Sequence, residues 1–189
     1  FIDRLVLNED RIEAIARSIE DIALLEDPLG RIENMRTMPS GIRVGQMRVP
    51  LGVVCVIFES RPNVTTDIAA LCVKSGNACV LRGGKESINS NIALHRVVAA
   101  SLEEVGVPRA AVTLVDKTDR ALVPVLLKMN GYIDIVIPRG GESLIQAVVR
   151  DSTIPVLKHD KGVCHSYVDR CADPAMAADI CVNAKVQRP

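Results

Sequence analysis

The stretch VVCVIFESRPNVTTDIAALCVKSGNACVLRGGKE, residues 53–86, decides the fold. Val53–Phe58 is a continuous apolar run, rich in β-branched residues, with the length of a buried strand. Thr66–Val73 is apolar on nearly every side, which predicts a short buried helix, and the Ser-Gly-Asn sequence at 75–77 ends it with turn chemistry. Cys79–Leu81 begins a second apolar strand. Together they predict a right-handed βαβ unit and therefore a parallel sheet.

Strands and helices continue to alternate around this unit. A helix capped by Asn8 is predicted to run to Leu24, and residues 31–41 are predicted to be a polar connector. Ile42–Arg48 alternates apolar and polar residues, which predicts a half-exposed edge strand able to pair with another subunit. The later predictions are a helix over Ile88–Glu104 capped by Ser87, a strand over Ala111–Val115, a helix from Asp119 or Arg120 to Met129, a strand over Ile133–Ile137, a helix over Glu142–Arg150 and a strand over Pro155–Leu157. This order predicts an α/β fold whose parallel sheet has helices on both faces.

The pattern changes towards the end of the chain. Val163–Val168 alternates apolar and polar residues, which predicts a strand. A helix is predicted from Asp173 or Pro174 to Lys185. These two elements are predicted to begin a second domain.

Composition narrows the functional class. Hydrophobic residues make up 48% of the 189 residues and Trp is absent, which favours an aliphatic α/β core. Lys and Arg number 23, as do Asp and Glu, so the formal net charge of zero argues against a nucleic-acid partner. No apolar run approaches the roughly 20 residues of a membrane helix. No signal peptide is recognisable, although a chain that begins with Phe could have lost its natural N-terminus.

The six cysteines include no CxxC pair. Cys55, Cys72 and Cys79 fall in predicted strands or the buried helix, so we interpret them as reduced core residues of a cytoplasmic protein. A metal site is the alternative, and its ligands would be Cys164, His165, Cys171 and Cys181. Their spacing matches no common zinc pattern, so we predict no metal site.

The local pattern Arg-Gly-Gly occurs twice, each time between a predicted strand and a helix. The first copy is Arg82-Gly83-Gly84 and the second is Arg139-Gly140-Gly141. Glycine permits close approach of a ligand to the backbone, the helix N-terminus offers free N–H groups, and arginine adds a forked cation. The alternative is a pair of ordinary turns with solvated arginines. Two copies at the same end of one sheet favour a nucleotide site.

A third polar loop, Glu59–Asn63, follows the first strand of the unit. Asn63 comes just before the predicted helix, where asparagine commonly serves as a cap. Its amide N–H could instead donate to a developing oxyanion. Pro62 would stiffen the loop, and the sequence leaves both roles open.

Six motifs together resemble the γ-glutamyl phosphate reductase family, also called glutamate-5-semialdehyde dehydrogenase, of the aldehyde dehydrogenase superfamily. They are MRVPLGVV (47–54), ESRPNVT (59–65), KSGNACVLRGG (74–84), GYIDIVIPRGG (131–141), PVLKHDKGVCHSYVD (155–169) and NAKVQRP (183–189). The resemblance implies an N-terminal helix and connector over 1–43, a Rossmann-like NADP-binding domain over 44–160, and the truncated start of the catalytic domain over 161–189.

The resemblance also implies an activity. It is the NADPH-dependent reduction of L-glutamyl 5-phosphate to L-glutamate 5-semialdehyde through a cysteine thioester, with release of phosphate, in proline biosynthesis. A cytoplasmic homo-oligomer is expected, with glutamate 5-kinase as a candidate partner. Two alternatives stay open: a non-catalytic nucleotide-binding or assembly domain, and an aldehyde-oxidising dehydrogenase with another substrate.

Site residues follow from the resemblance position by position. Asn63 falls at the oxyanion asparagine, and Arg82 at the residue that touches the adenine ribose. Lys85 falls at or beside a carboxylate of NAD-using relatives, and a lysine there suits the 2′-phosphate of NADPH. The implied cofactor-binding set is Ser60, Arg82, Gly83, Gly84, Lys85, Arg139, Gly140 and Gly141.

The chain departs from the superfamily pattern in two places. No carboxylate aligns with a general base near Lys158 or His159, which fits a reductase whose thioester must escape hydrolysis. The nucleophilic cysteine of the family follows the Gln-Arg-Pro sequence at 187–189, so these 189 residues are expected to be a fragment that is inactive alone. Cys181 precedes that position and is expected to be a packing residue.

Overall fold

The computed structural model describes residues 5–59, 61–159, 162 and 164–187. The chain divides into two compact units, Phe1–Lys158 and His159–Pro189. The first unit contains the helices α1 (Glu9–Leu24), α2 (Asn63–Lys74), α3 (Ile88–Glu104), α4 (Leu122–Leu126) and α5 (Glu142–Asp151), and the strands β1 (Ile32–Thr37), β2 (Arg43–Met47), β3 (Val53–Phe58), β4 (Ala78–Arg82), β5 (Val112–Leu114) and β6 (Ile135–Arg139). The second unit contains the helix α6 (Pro174–Val186).

A four-stranded parallel sheet is the centre of the first unit. Its order is β5-β4-β3-β6, and Cys55 lies opposite Val80 on one side and Val136 on the other. The predicted βαβ unit is confirmed as β3-α2-β4, with Gly76 at φ 70° in the turn after α2. The α/β fold with a parallel sheet is therefore confirmed.

Alternate residues of β3 pack into two different cores. Val54, Val56 and Phe58 belong to a cluster with residues of α2 and α3. Cys55 and Ile57 belong to another cluster, with residues of α4 and α5. Because successive side chains of a strand point to opposite faces, helices cover both sides of the sheet as predicted.

The predicted connector over residues 31–41 is wrong, because β1 forms there and pairs with β2 in an antiparallel ribbon. The ribbon contains a register shift between Glu33 and Arg36, and Arg48 Nη2 donates to Glu33 Oε1 at 3.0 Å. All residues of β2 are exposed, so the predicted half-exposed strand is exposed on both faces. A ribbon that buries neither face does not need the apolar alternation that marks a core strand, and this is why the pattern missed β1.

Several smaller predictions also need correction. The helix predicted to run from Asp119 or Arg120 to Met129 is only α4. Pro124 supplies no N–H to the carbonyl of residue 120, and after Leu126 the N–H groups of Lys128 and Met129 bond to the residue three positions back, as in turns. The predicted strand over Pro155–Leu157 is a single parallel bridge between Val136 and Val156. The Ser87 side chain does not cap α3; its Oγ accepts a hydrogen bond from Asn91 Nδ2 at 3.2 Å.

The predicted Asn8 cap of α1 is confirmed, and α6 is capped by Asp173. Asn8 Oδ1 accepts from the Arg11 N–H at 3.0 Å, and Asp173 Oδ1 accepts from the Met176 N–H at 2.8 Å. The predicted strand over Val163–Val168 is wrong for its described residues 164–168, which are irregular and exposed. Val163 itself lies outside the described residues. A strand needs a neighbour for its backbone hydrogen bonds, and no described segment pairs with this one.

Burial divides the cysteines into two groups. Cys55, Cys72 and Cys79 are buried as predicted, whereas Cys164 and Cys171 are exposed and Cys181 is intermediate. Burial raises the pKa of the Cys55 thiol to about 12. The thiolate is the reactive form, so this thiol is chemically inert near neutral pH.

This division predicts the thiol chemistry of the native protein. At pH 8 we expect Cys164 and Cys171 to react quickly with Ellman's reagent, Cys181 more slowly, and the three buried thiols only after denaturation. The folded-state pKa of Cys55 lies above its ordinary value of 9.0, because the buried site favours the neutral thiol. The stability of the fold is therefore unaffected by ionisation of this thiol below pH 9 and decreases as the pH rises from 9 towards 12, where the unfolded chain gains from ionising it. Rapid reaction of all six thiols in the native protein would contradict this prediction. The double variant Cys164→Ser/Cys171→Ser is the control that should remove the fast phase.

Candidate functional site

A cavity of about 810 Å³ lies at the carboxyl ends of β3, β4 and β6. Its volume falls within the range of small-molecule and cofactor sites, roughly 300–1,000 Å³. Five cationic side chains line it against three acidic ones, so the cavity is electropositive. The cations are Arg61, Arg82, Lys85, Arg120 and Arg139. Parallel sheets bind ligands at this end of the strands, and an excess of cations favours a ligand carrying phosphate groups.

Arg82 is the last residue of β4 and is only 9% exposed. Its Nη2 donates to the Thr118 carbonyl at 3.1 Å, while its buried Nε has no hydrogen-bond partner. Burial lowers the pKa of this guanidinium, and the nearby charge of Arg120 lowers it further. A buried donor without an acceptor costs free energy of folding. An anion that enters the cavity would supply the missing acceptor to Arg82 Nε.

Gly83 follows Arg82 and lies directly against a buried amide. A Cβ at this position would fall 2.2 Å from Asn91 Nδ2 and 3.1 Å from the Phe58 ring. Asn91 is fully buried in α3, where its Nδ2 donates to Ser87 Oγ. Asn91 therefore packs against the first Arg-Gly-Gly loop at Gly83. Only glycine fits at position 83, between Asn91 and Phe58.

The second Arg-Gly-Gly loop contacts a carboxylate of the same chain. The Gly141 N–H, just before α5, donates to Glu59 Oε2 at 3.0 Å, and the Glu59 N–H donates to the Arg139 carbonyl at 3.1 Å. A Cβ on Gly140 would fall 2.6 Å from Glu59 Cδ. Glu59 thus occupies the positive end of α5, which the sequence predicted to be open to a ligand phosphate.

Asn63 is the first residue of α2, and Pro62 occupies the cap position. The Asn63 Nδ2 donates to Asp67 Oδ2, four residues later in α2, at 2.9 Å. The Asn63 amide therefore does not cap the helix. Asp67 also accepts from Ser18 of α1, at 3.3 Å. An amide nitrogen carries two N–H groups, so the contact with Asp67 uses only one of them.

The structure places six of the predicted cofactor residues on the cavity wall: Arg82, Gly84, Lys85, Arg139, Gly140 and Gly141. Gly83 lies behind that wall, and Asn63 lies at the same end of β3 but off the lining. Ser60 falls outside the described residues. The sequence reasoning missed Glu59, Asn91 and Arg120. Glu59 directly follows β3, and this position could have identified it as a site residue. No local sequence pattern identifies Asn91 or Arg120 as site residues.

Among the described helices, none combines the length and apolarity needed to cross a bilayer. Within the same described residues, His, Cys, Asp and Glu form no cluster of three that could hold a metal ion.

Comparison with known proteins shows which proteins this chain resembles. No protein-family model matches the chain. A γ-glutamyl phosphate reductase from Thermoanaerobacter pseudethanolicus is 53% identical over 188 residues, which covers 100% of this chain and 45% of that protein. The crystal structure of γ-glutamyl phosphate reductase from Thermotoga maritima superposes with a TM-score of 0.90 at 40% identity, again over 100% of this chain and 45% of the other. The chain is a homologue of the γ-glutamyl phosphate reductases. The resemblance carried by the six motifs is therefore confirmed.

More distant solved structures share the fold of this chain. Propionaldehyde dehydrogenase from Rhodopseudomonas palustris superposes on 82% of this chain and 38% of its own with a TM-score of 0.62 at 17% identity, and so shares the fold. The predicted aldehyde dehydrogenase fold is confirmed. The chain spans about 45% of the length of the reductases that it matches.

Proposed function

We propose that this chain contributes the cofactor-binding part of a reductase that converts L-glutamyl 5-phosphate to L-glutamate 5-semialdehyde with NADPH. The electropositive cavity at the carboxyl ends of the parallel strands, in a homologue of the γ-glutamyl phosphate reductases, is the observation that carries the proposal. The assignment of residues 44–160 to the cofactor and 161–189 to the catalytic domain belongs to the same proposal.

The described residues suit a dinucleotide that carries an extra phosphate. Arg82 offers a buried guanidinium with an unpartnered Nε, and Lys85 is an exposed cation on the same cavity wall. Both favour the 2′-phosphate that distinguishes NADPH from NADH. Gly84, Gly140 and Gly141 leave the wall open to close approach of a ligand. At the second loop the Glu59 carboxylate would repel a phosphate, so Glu59 must rotate away before a pyrophosphate can use the N-terminus of α5.

Catalysis would use Asn63 and a cysteine outside these 189 residues. Bound NADPH supplies the hydride. The Asn63 amide would donate an N–H to the oxygen that becomes negatively charged when the thiolate attacks the acyl phosphate, and Asp67 would hold the amide in place. On this basis the 189 residues alone should show no turnover.

Oligomerisation stays a prediction and has one support in the structure. A two-stranded ribbon is only marginally stable by itself in water. The β1-β2 ribbon exposes Ile32, Val44 and Met47, so it is suited to pairing with a further strand from another subunit or from the rest of the protein. Glutamate 5-kinase remains a proposed partner on the ground of the resemblance alone.

Cofactor preference tests the proposal. We expect the full-length protein to bind NADPH at least about tenfold more tightly than NADH in a calorimetric titration, since the 2′-phosphate adds charge-assisted hydrogen bonds worth about 1.5–3 kcal/mol. The Arg82→Ala/Lys85→Ala double variant should lose that preference. Equal affinity of the unmodified protein for both cofactors would contradict the prediction.

Substrate choice tests the reaction. The full-length protein should oxidise L-glutamate 5-semialdehyde only when inorganic phosphate is present, because the reverse reaction forms an acyl phosphate. Phosphate-independent oxidation of simple aldehydes would support the aldehyde-oxidising alternative. Binding of NADPH without any turnover would support the non-catalytic nucleotide-binding module.

A further inference from the structure

Two arginines, Arg82 and Arg120, line the same cavity. Arg82 donates to the carbonyl of Thr118, which precedes Arg120 by two residues, and both arginines line the cavity. Their charges interact unfavourably, since Arg120 lowers the pKa of Arg82 after burial has already done so. None of the ion pairs found among the described residues includes either arginine.

The charges of two carboxylates partly offset this repulsion. Glu86 and Asp119 favour the charged form of Arg82, but less strongly than burial and Arg120 oppose it. Asp119 Oδ1 already accepts from the Ala121 N–H at 2.9 Å. Arg82 Nε therefore remains a buried donor without an acceptor, and a ligand anion would satisfy it.

The charge of this pair and its place on the cavity lining suit a phosphate monoester. At neutral pH a monoester carries nearly two negative charges, whereas each phosphate of a pyrophosphate diester bridge carries one. Two guanidinium groups can neutralise a dianion and bind its three terminal oxygens through forked hydrogen bonds. We propose that Arg120 is a specificity-determining residue that binds the 2′-phosphate of the cofactor together with Arg82. This inference rests on the proposed function.

Arg120 is well suited to a clean substitution. Its side chain is exposed and lines the cavity, so Arg120→Gln removes the charge without opening the core. Arg109 is a matched control, because it is also exposed but pairs with Glu103 and is absent from the cavity lining. Arg120→Lys restores a single charge without the forked geometry and should recover part of the affinity.

The experiment compares paired ligands by calorimetry on the full-length protein. Arg120→Gln should weaken binding of NADPH and of 2′-AMP about 10- to 100-fold, while NADH and adenosine change less than about twofold. Arg109→Gln should leave all four affinities unchanged, and thermal unfolding should show all variants folded. Equal weakening of NADPH and NADH, or no effect on NADPH, would overturn the role of Arg120. If the unmodified protein binds neither dinucleotide, the proposed function itself fails, and this inference fails with it.

Discussion

The Asn63→Ala variant of the full-length protein is expected to turn over about 10²- to 10³-fold more slowly than the unmodified protein, because it removes one donor to the developing oxyanion. NADPH affinity should change less than about twofold, since Asn63 is absent from the cavity lining. The alanine also loses the hydrogen bond to Asp67, an exposed contact whose removal costs about 1 kcal/mol of stability or less. Steady-state kinetics with saturating cofactor measure the effect on kcat.

Two further variants make this test specific. Asn63→Asp keeps the size of the side chain but replaces the donor by a carboxylate, which would repel an oxyanion, so it should be at least as slow as the alanine variant. Asn89→Ala is the matched control, because Asn89 is also exposed in the first turn of a helix but lies on α3. A kcat for Asn63→Ala within about threefold of the unmodified protein would remove Asn63 from the mechanism.

The Gly83→Ala variant is expected to lose about 2–3 kcal/mol of stability, as overpacking of a filled core does. Its added methyl group would fall 2.2 Å from Asn91 Nδ2, which has no room to move because Asn91 is fully buried. The Phe58 ring would lie 3.1 Å from the same methyl carbon, which is a second tight contact. At about 2–4 °C per kcal/mol for a protein of this size, the melting temperature should fall by about 5–10 °C.

Gly131→Ala is the control for this substitution, because a Cβ on Gly131 meets nothing within 4 Å. Its melting temperature should stay within about 2 °C of the unmodified protein. Gly83→Ala should also weaken NADPH binding, since moving Asn91 or the loop displaces the neighbouring Arg82. An unchanged melting temperature for Gly83→Ala would mean that the loop can shift freely, and would contradict the supporting role of Asn91.

Local pattern was enough to predict most of the fold. The continuous apolar run of β3 and the apolar length of α2 need no partner to be recognised, and the bounds predicted for α3 are those observed. The three mispredicted strand segments have one cause in common. The strand β1, the short bridge at Val156 and residues 164–168 are decided by which other segments lie beside them. A strand with no buried face need not show apolar alternation, so β1 carried no local signal although its partner β2 did.

Some features of the candidate site could likewise be predicted from the sequence, and others could not. The sequence by itself determined that both Arg-Gly-Gly loops lie at one edge, because parallel strands end on the same side of a sheet. Only the tertiary structure decided which side chains meet there. Glu59 reaches Gly141 across 82 residues and Arg82 reaches Thr118 across 36, because β3 pairs with β6 and β4 with β5. Strand order is a long-range property, so the partners of Glu59 and Arg82 appear only when the chain is folded.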